Sequence, residues 1–115
     1  MKNIPINEKR IVAKDGDMVV GMATMVKNNN NNQLKAIYVL PEYQGKGIGN
    51  NMWEALKDFV DPTKDTIVQL ADYNHQAIKF YKKLGFIDTG KRWKDEKWKM
   101  KSGAYIPEME MVLKK

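Results

Sequence analysis

The chain has 115 residues and no cysteine, and its 20 Lys and Arg residues exceed its 14 Asp and Glu residues by six. A chain of this length forms one domain around one hydrophobic core. The absence of cysteine excludes disulfides and Cys–His catalysis. His75 and Ser102 are single copies, so neither a zinc site nor a Ser–His–acid triad is expected. The excess of positive charge favours an anionic ligand such as a phosphate.

The N-terminus, MKNIPINEKR, lacks the apolar core of a signal peptide. No apolar run approaches the roughly 18 residues of a membrane span. These two observations predict a cytoplasmic protein without a membrane partner.

The first part of the chain predicts three strands. The segments IVAK and MVVGMATMV flank Asp15-Gly16, a dipeptide that suits a tight hairpin turn. The polar run Asn28 to Asn32 predicts an exposed loop. The apolar segment LKAIYVL follows and predicts a third strand, buried on both faces near its end.

The rest of the chain predicts two helices and three more strands. A first helix begins at Ile48, and its apolar residues recur at helical spacing up to Asp61-Pro62. TIVQLA reads as a strand. Asn74 then caps a second helix, whose apolar stripe is Ala77, Ile78, Tyr81 and Leu84 and whose stop is Gly85. FIDTGKRW and IPEMEMVL predict the last two strands, joined by a basic connection that contains tryptophan. The expected class is α/β (α+β), with a mixed, mostly antiparallel sheet and two main helices.

The segment PEYQGKGIGNNM, from Pro41 to Met52, places three glycines between a predicted strand and a predicted helix. Such a turn directs several backbone N–H groups and a helix N-terminus into one concavity, which suits a phosphate or pyrophosphate. The P-loop pattern is absent, and the dinucleotide pattern fails because Asn50 stands where its third glycine belongs. The residues alone leave a plain tight turn as the alternative.

Two motifs resemble the GNAT acetyltransferase superfamily. The stretch VLPEYQGKGIG, from Val39 to Gly49, is similar to the family's acetyl-CoA signature, with Gln44, Gly47 and Gly49 at its core positions. The stretch NHQAIKFYKKLGF, from Asn74 to Phe86, is similar to the family's downstream motif. The resemblance covers roughly residues 11 to 113. It implies one acetyltransferase domain over residues 1–115, with a short lead-in over residues 1–10 and the asparagine loop at 28–32.

The resemblance implies roles for particular residues. The pantetheine arm of acetyl-CoA would pair with the third strand, the turn and the first helical residue would hold the pyrophosphate, and Asn74 and Ala77 would contact the arm from the second helix. Tyr81 matches the general acid that protonates the departing thiolate, although an apolar helix face also suits a tyrosine as core. The implied cofactor-binding residues are Ile37, Tyr38, Val39, Gln44, Gly45, Lys46, Gly47, Ile48, Gly49, Asn50, Asn74, Ala77 and Tyr81. The implied co-substrate is acetyl-CoA, with no metal, and the acceptor is the primary amine of a small molecule or peptide.

The general base is not identified by the motifs. The resemblance implies a V-shaped opening between the third and fourth strands, and Asp72 ends the fourth strand facing it. Glu110 lies with Glu108 on the strand face opposite Met109 and Met111. Either carboxylate could accept the proton of the amine, and either could be an ordinary surface residue. His75 beside the helix cap is expected to be solvated.

Members of this family usually carry a further strand and two helices before the hairpin, and about ten residues precede it here. A homodimer that covers the resulting open face is therefore expected. Two other functions remain alternatives: a regulatory protein that binds CoA without turnover, and a nucleic-acid-binding module that uses the basic segment KRWKDEKWKMK from Lys91 to Lys101. Asp95 and Glu96 interrupt the charge of that segment, so nucleic acid is not the expected partner.

Overall fold

The computed structural model describes residues 7–99 and 105–115. Residues 1–6 of the predicted lead-in, Ser102 and the last two residues of the basic segment lie outside the described residues. The described elements follow the predicted order of strands and helices. They are β1 (Glu8–Asp15), β2 (Met18–Lys27), β3 (Asn32–Val39), α1 (Ile48–Lys57), β4 (Thr66–Ala71), α2 (His75–Leu84), β5 (Ile87–Lys99) and β6 (Tyr105–Leu113).

The six described strands form one sheet in the order β1-β2-β3-β4-β6-β5. The β3–β4 pair is parallel and the other four pairs are antiparallel. Helix α1 supplies the crossover that a parallel pair needs. The predicted class, a mixed and mostly antiparallel sheet with two helices, is confirmed.

One face of the sheet carries both helices and the main core. Met25, Leu34, Val68 and Met111 are register neighbours across four adjacent strands and are fully buried. Trp53 of α1 and Tyr81 of α2 belong to the same cluster, and Phe86 joins them through ring contacts with centroids 5.6 and 5.5 Å away. This packing fixes the two helices relative to each other and to the sheet.

The other face has an exposed apolar stripe. Val12, Met22 and Tyr38 are aligned across β1, β2 and β3, and their exposed fractions are 52, 51 and 51%. Further along the same face, Glu110 is buried and its carboxylate lies 3.6 Å from the Lys91 Nζ. This face is therefore apolar at one end and polar at the other.

Four local predictions were wrong. Asn32 is not part of an exposed loop, because it is fully buried. Its side-chain Nδ2 donates to the Asp61 carbonyl and its Oδ1 accepts the Asp61 N–H, each at 2.9 Å. The end of β3 is not buried on both faces, because Tyr38 is half exposed. Helix α1 ends at Lys57, before the predicted stop at Asp61-Pro62. Strand β5 continues to Lys99, so most of the predicted basic connection is strand.

Candidate active site

The third and fourth strands separate partway along their length. Their parallel pairing comprises Asn32–Thr66, Gln33–Ile67 and Leu34–Val68 and then stops, although both strands continue. The separation begins where the register of β3 against β2 shifts, with Lys35 as the extra residue. A bulge bends its strand, which accounts for the divergence. We call the opening between the two strands the splay.

Backbone groups of β3 face into the splay. The Leu40 N–H donates to the Val20 carbonyl of β2 at 2.9 Å, so by strand alternation the backbone groups of Ile37 and Val39 face away from β2. Two of these groups have side-chain partners: the Ile37 N–H donates to the Tyr81 hydroxyl, and the Gln44 Nε2 donates to the Val39 carbonyl at 3.0 Å. The Val39 N–H has no partner on β4, because the ladder has already ended.

The glycine-rich turn leads from β3 into α1. A single 3₁₀ turn, Pro41–Tyr43, is followed by Gly45 and Gly47 at φ of 80° and 83°. A side chain at either glycine would meet no atom within 4 Å, so backbone conformation, not crowding, requires glycine here. Gly47 is the N-cap of α1 and has no side chain to accept a hydrogen bond from the first helical N–H groups. The first N–H groups of α1 are thus presented beside open space, as an anion site needs.

Gly49 has a different role from the other two glycines. A Cβ at this position would lie 3.2 Å from the ring of Phe80 on α2 and 3.8 Å from Ile37. The missing side chain therefore lets the start of α1 approach α2 closely. This contact closes one end of the space between the helices.

Helix α2 presents a capped start and a buried tyrosine. The Asn74 side chain accepts the Ala77 N–H at 3.1 Å, as predicted for an N-cap. Tyr81 is 5% exposed, and burial raises the pKa of its hydroxyl to about 12 while the Ile37 N–H acts in the opposite direction. The hydroxyl therefore stays protonated near neutral pH.

These elements surround one cavity of about 730 Å³. Every residue that the motifs predicted for cofactor binding lines it except Lys46, whose ammonium lies 5.3 Å from the centre of the Tyr43 ring. The sequence analysis missed six lining residues: Tyr43, Gln76, Lys79, Phe80, Lys83 and Leu84. Helical spacing from Ala77 could have found Phe80 and Leu84, but not Gln76 or the two lysines.

The candidate bases lie elsewhere. Neither Asp72 nor Glu110 lines the cavity, and Glu110 forms the ion pair with Lys91. Of the described residues that do line the cavity, none is acidic, while Lys79 and Lys83 are basic. In the described part of the chain, no three His, Asp or Glu side chains lie close enough together to hold a metal ion. No helix within residues 7–99 and 105–115 combines the length and hydropathy of a membrane span.

Comparisons with known proteins identify the family. The model of the acetyltransferase (GNAT) domain matches residues 3–101, and the chain belongs to this family. No curated protein sequence matches the chain.

Solved structures share the fold. The ribosomal-protein-S18-alanine N-acetyltransferase from Escherichia coli superimposes with a TM-score of 0.76 at 18% identity, over 96% of this chain and 71% of that one. Nourseothricin acetyltransferase superimposes with a TM-score of 0.77 at 19% identity, over 98% of this chain and 69% of that one. Arabidopsis thaliana Naa50 was solved in complex with the bisubstrate analogue CoA-Ac-MVNAL. It superimposes with a TM-score of 0.67 at 22% identity, over 90% of this chain and 70% of that one.

Proposed function

We propose that this protein transfers an acetyl group from acetyl-CoA directly to a primary amine within a ternary complex. The observation that carries the proposal is the meeting of three features in one cavity: the splay, the glycine-rich turn and the Tyr81 hydroxyl. Family membership supports acetyl transfer, and a relative of the same fold was solved with a CoA-containing bisubstrate analogue.

The volume of the cavity, about 730 Å³, and its basic lining residues support acetyl-CoA as the ligand. The turn from Gln44 to Gly49 would hold the pyrophosphate through backbone N–H groups, with Asn50 in the first turn of α1. The Val39 N–H has no β4 partner and would polarise the thioester carbonyl, an oxyanion-type contact of the kind that often dominates catalysis. Ile37 and Tyr38 would flank the pantetheine arm from the strand, and Asn74 and Ala77 from the helix.

Tyr81 would supply the proton that the departing sulfur needs. In the transfer the amine nitrogen bonds the acetyl carbon, the carbon–sulfur bond breaks, and the thiolate takes up a proton. The Tyr81 hydroxyl accepts the Ile37 N–H, so its own proton is directed elsewhere. The same N–H would stabilise the phenolate that remains after donation, which offsets part of the effect of burial.

The scarcity of nucleophilic side chains supports direct transfer. The chain has no cysteine and a single serine, Ser102, which lies in a KSG segment without the sequence context of a catalytic nucleophile. Intact mass spectrometry after incubation with acetyl-CoA alone should show no acetyl adduct on the enzyme. An adduct that passes its acetyl group to an added amine would overturn the direct mechanism.

The acceptor class that we propose is a primary amine of a small molecule or a peptide. Proteins of the same fold include the ribosomal-protein-S18-alanine N-acetyltransferase from Escherichia coli and a spermidine N-acetyltransferase chimera. Because no carboxylate is among the described residues that line the cavity, the amine would lose its proton to water and not directly to an Asp or Glu side chain.

We also propose a homodimer across the helix-free face of the sheet. The stripe of Val12, Met22 and Tyr38 is half exposed, and Tyr38 also lines the cavity. A second copy seated on the stripe would therefore wall the acceptor side of the site. Sedimentation of the wild type should show a dimer, and Met22→Glu should shift it to monomer. A monomeric wild type at micromolar concentration would exclude this dimer.

A screen of acetyl-CoA turnover tests the proposed function. Free thiol is measured with acetyl-CoA and a panel of polyamines, amino acids and peptides with free N-termini, with the reaction lacking amine as the control. Amine-dependent thiol release and an acetylated product are expected. Binding of acetyl-CoA without turnover would favour the regulatory alternative, whereas binding of oligonucleotides without acetyl-CoA binding would favour the nucleic-acid module.

A further inference from the structure

The charge of the cavity is confined to one wall. Lys79 and Lys83 both line it from α2, one helical turn apart, and no described acidic residue lines it. Neither lysine forms a salt bridge within the described part of the chain. Two ammonium groups without carboxylate partners on a cavity wall are a feature that the motifs did not explain.

The position of these lysines relative to the glycine turn is set by Phe80. This residue lies between Lys79 and Lys83 in the sequence, and its ring lies against Gly49 at the start of α1. The lysines therefore flank the point where α2 meets the turn. Because the turn and both lysines line the same cavity, a ligand whose anion occupied the turn would share that cavity with the lysines.

We propose that Lys79 and Lys83 bind the 3′-phosphate of CoA and make the enzyme select CoA over 3′-dephospho-CoA. The assignment rests on the proposed function, since it needs CoA in this cavity. The two lysines would thus determine which form of the cofactor binds, separately from the backbone N–H groups of the glycine-rich turn.

The two kinds of phosphate in CoA suit different partners. Each phosphate of the diphosphate carries about one charge, and fixed backbone N–H groups with a helix N-terminus match it well. A terminal phosphate monoester carries about −1.5 to −2 at neutral pH. Flexible lysines act as point charges toward such a group and can follow it, which backbone amides cannot.

Calorimetry with CoA and 3′-dephospho-CoA tests the assignment, using the wild type, Lys79→Gln, Lys83→Gln and the charge-retaining Lys83→Arg. Lys82→Gln is the matched control, because Lys82 lies on the same helix, does not line the cavity and interacts with Asp88 instead. The measurements are made at low ionic strength, where exposed charges act most strongly.

The wild type should bind CoA at least about tenfold more tightly than dephospho-CoA. Each glutamine variant should lose about three- to tenfold of this preference through weaker CoA binding alone, while Lys83→Arg and Lys82→Gln keep it. Equal affinity of the wild type for both ligands would overturn the assignment. Equal weakening of both ligands in the variants would overturn it too, because the lysines would then contact the diphosphate. If neither ligand bound the wild type, the proposed function itself would fail.

Discussion

The two halves of β3 show how one strand serves both stability and function. In the first half, from Asn32 to Leu34, the strand pairs with neighbours on both sides, and both of these end residues are fully buried. In the second half, from Ile37 to Val39, it pairs only with β2, and its other edge faces the cavity. The Lys35 bulge separates the halves. Backbone groups of Ile37 and Val39 that would otherwise pair with β4 bond to side chains instead, and in the proposed complex they would also contact acetyl-CoA.

The largest expected effect is on ligand binding at the splayed end. Gly47→Val should abolish detectable acetyl-CoA binding, because a side chain would displace the backbone from φ of 83° and enter the space beside the turn. Strain of about 1–3 kcal/mol should accompany the change but leave the protein folded. A thermal scan checks that the variant is folded, and calorimetric titration of a fresh sample measures its affinity for acetyl-CoA.

Gly90→Val is the matched control for this strain. Gly90 has φ of 87°, open space around it and a position in β5 that does not line the cavity. It should lose comparable stability and keep acetyl-CoA affinity. If folded Gly47→Val bound as well as the control, the turn would not be the anion site.

At the paired end the expected effect is on stability. Leu34→Ala removes a fully buried side chain between Met25 and Val68, and should lower the free energy of unfolding by about 2–5 kcal/mol. Tyr38→Ala at the half-exposed end, measured in the Met22→Glu background that is expected to be monomeric, should cost less than about 1 kcal/mol. Urea titration of both variants compares the halves, and equal losses would contradict the distinction.

The buried tyrosine should also show in the alkaline stability of the protein. Its folded pKa of about 12 exceeds the ordinary value of 10, so the unfolded chain releases the proton first. The protonated Tyr81 hydroxyl makes its full contribution to the free energy of unfolding below pH 10, and this contribution is lost as the pH rises to about 12. Over this range the wild type should lose roughly 2–3 kcal/mol more than Tyr81→Phe. Parallel alkaline curves in denaturant titrations would argue against a buried hydroxyl.

A smaller effect is expected on turnover from the same substitution. Tyr81→Phe keeps the ring contacts with Phe80 and Phe86 and removes only the hydroxyl. Turnover should fall at least about tenfold with acetyl-CoA affinity nearly unchanged, because the loss lies in the transition state. Steady-state rates and calorimetry separate the two quantities. A variant that retained the full wild-type rate would make Tyr81 a core residue only.

The smallest expected effect concerns the hydrogen bond that ties the turn to the first hairpin. The Tyr43 hydroxyl donates to the Asp15 carboxylate at 2.6 Å, and Tyr43 lines the cavity. Tyr43→Phe should weaken acetyl-CoA binding about two- to fivefold, because the turn loses one anchor. Asp15→Ala, which removes the acceptor, should act similarly, and the double variant should add little to either single change. Fully additive effects would show that the two groups act independently.

The sequence predicted most of the fold because its strongest signals are local. The Asp15-Gly16 turn, the Asn74 cap and the Gly85 stop each depend on residues within one turn, and all three are found. Asn32 was misplaced because its partner, Asp61, is 29 residues away and gives no local signal. The extent of β5 was missed because its polar segment is stabilised by pairing with β6.

The candidate site divides in the same way. The glycine turn carries residues at fixed spacing, so the sequence predicted its lining residues apart from Tyr43, whereas on the second motif it predicted only Asn74, Ala77 and Tyr81. The lysines on α2 were missed because the motif marks only the positions that face the core. The splay depends on a bulge at Lys35, a register property of paired strands that no single residue encodes.

Amide-resolved hydrogen exchange, with and without acetyl-CoA, tests most directly whether the splayed half of β3 is the ligand-binding half. The Val39 amide and the amides of Gly45 to Gly49 should exchange at least about tenfold more slowly when acetyl-CoA is bound. The amides of Asn32 to Leu34 should be strongly protected in both states. Unchanged exchange at Val39 and the glycine turn under saturating acetyl-CoA would show that the splayed half of β3 does not bind this ligand.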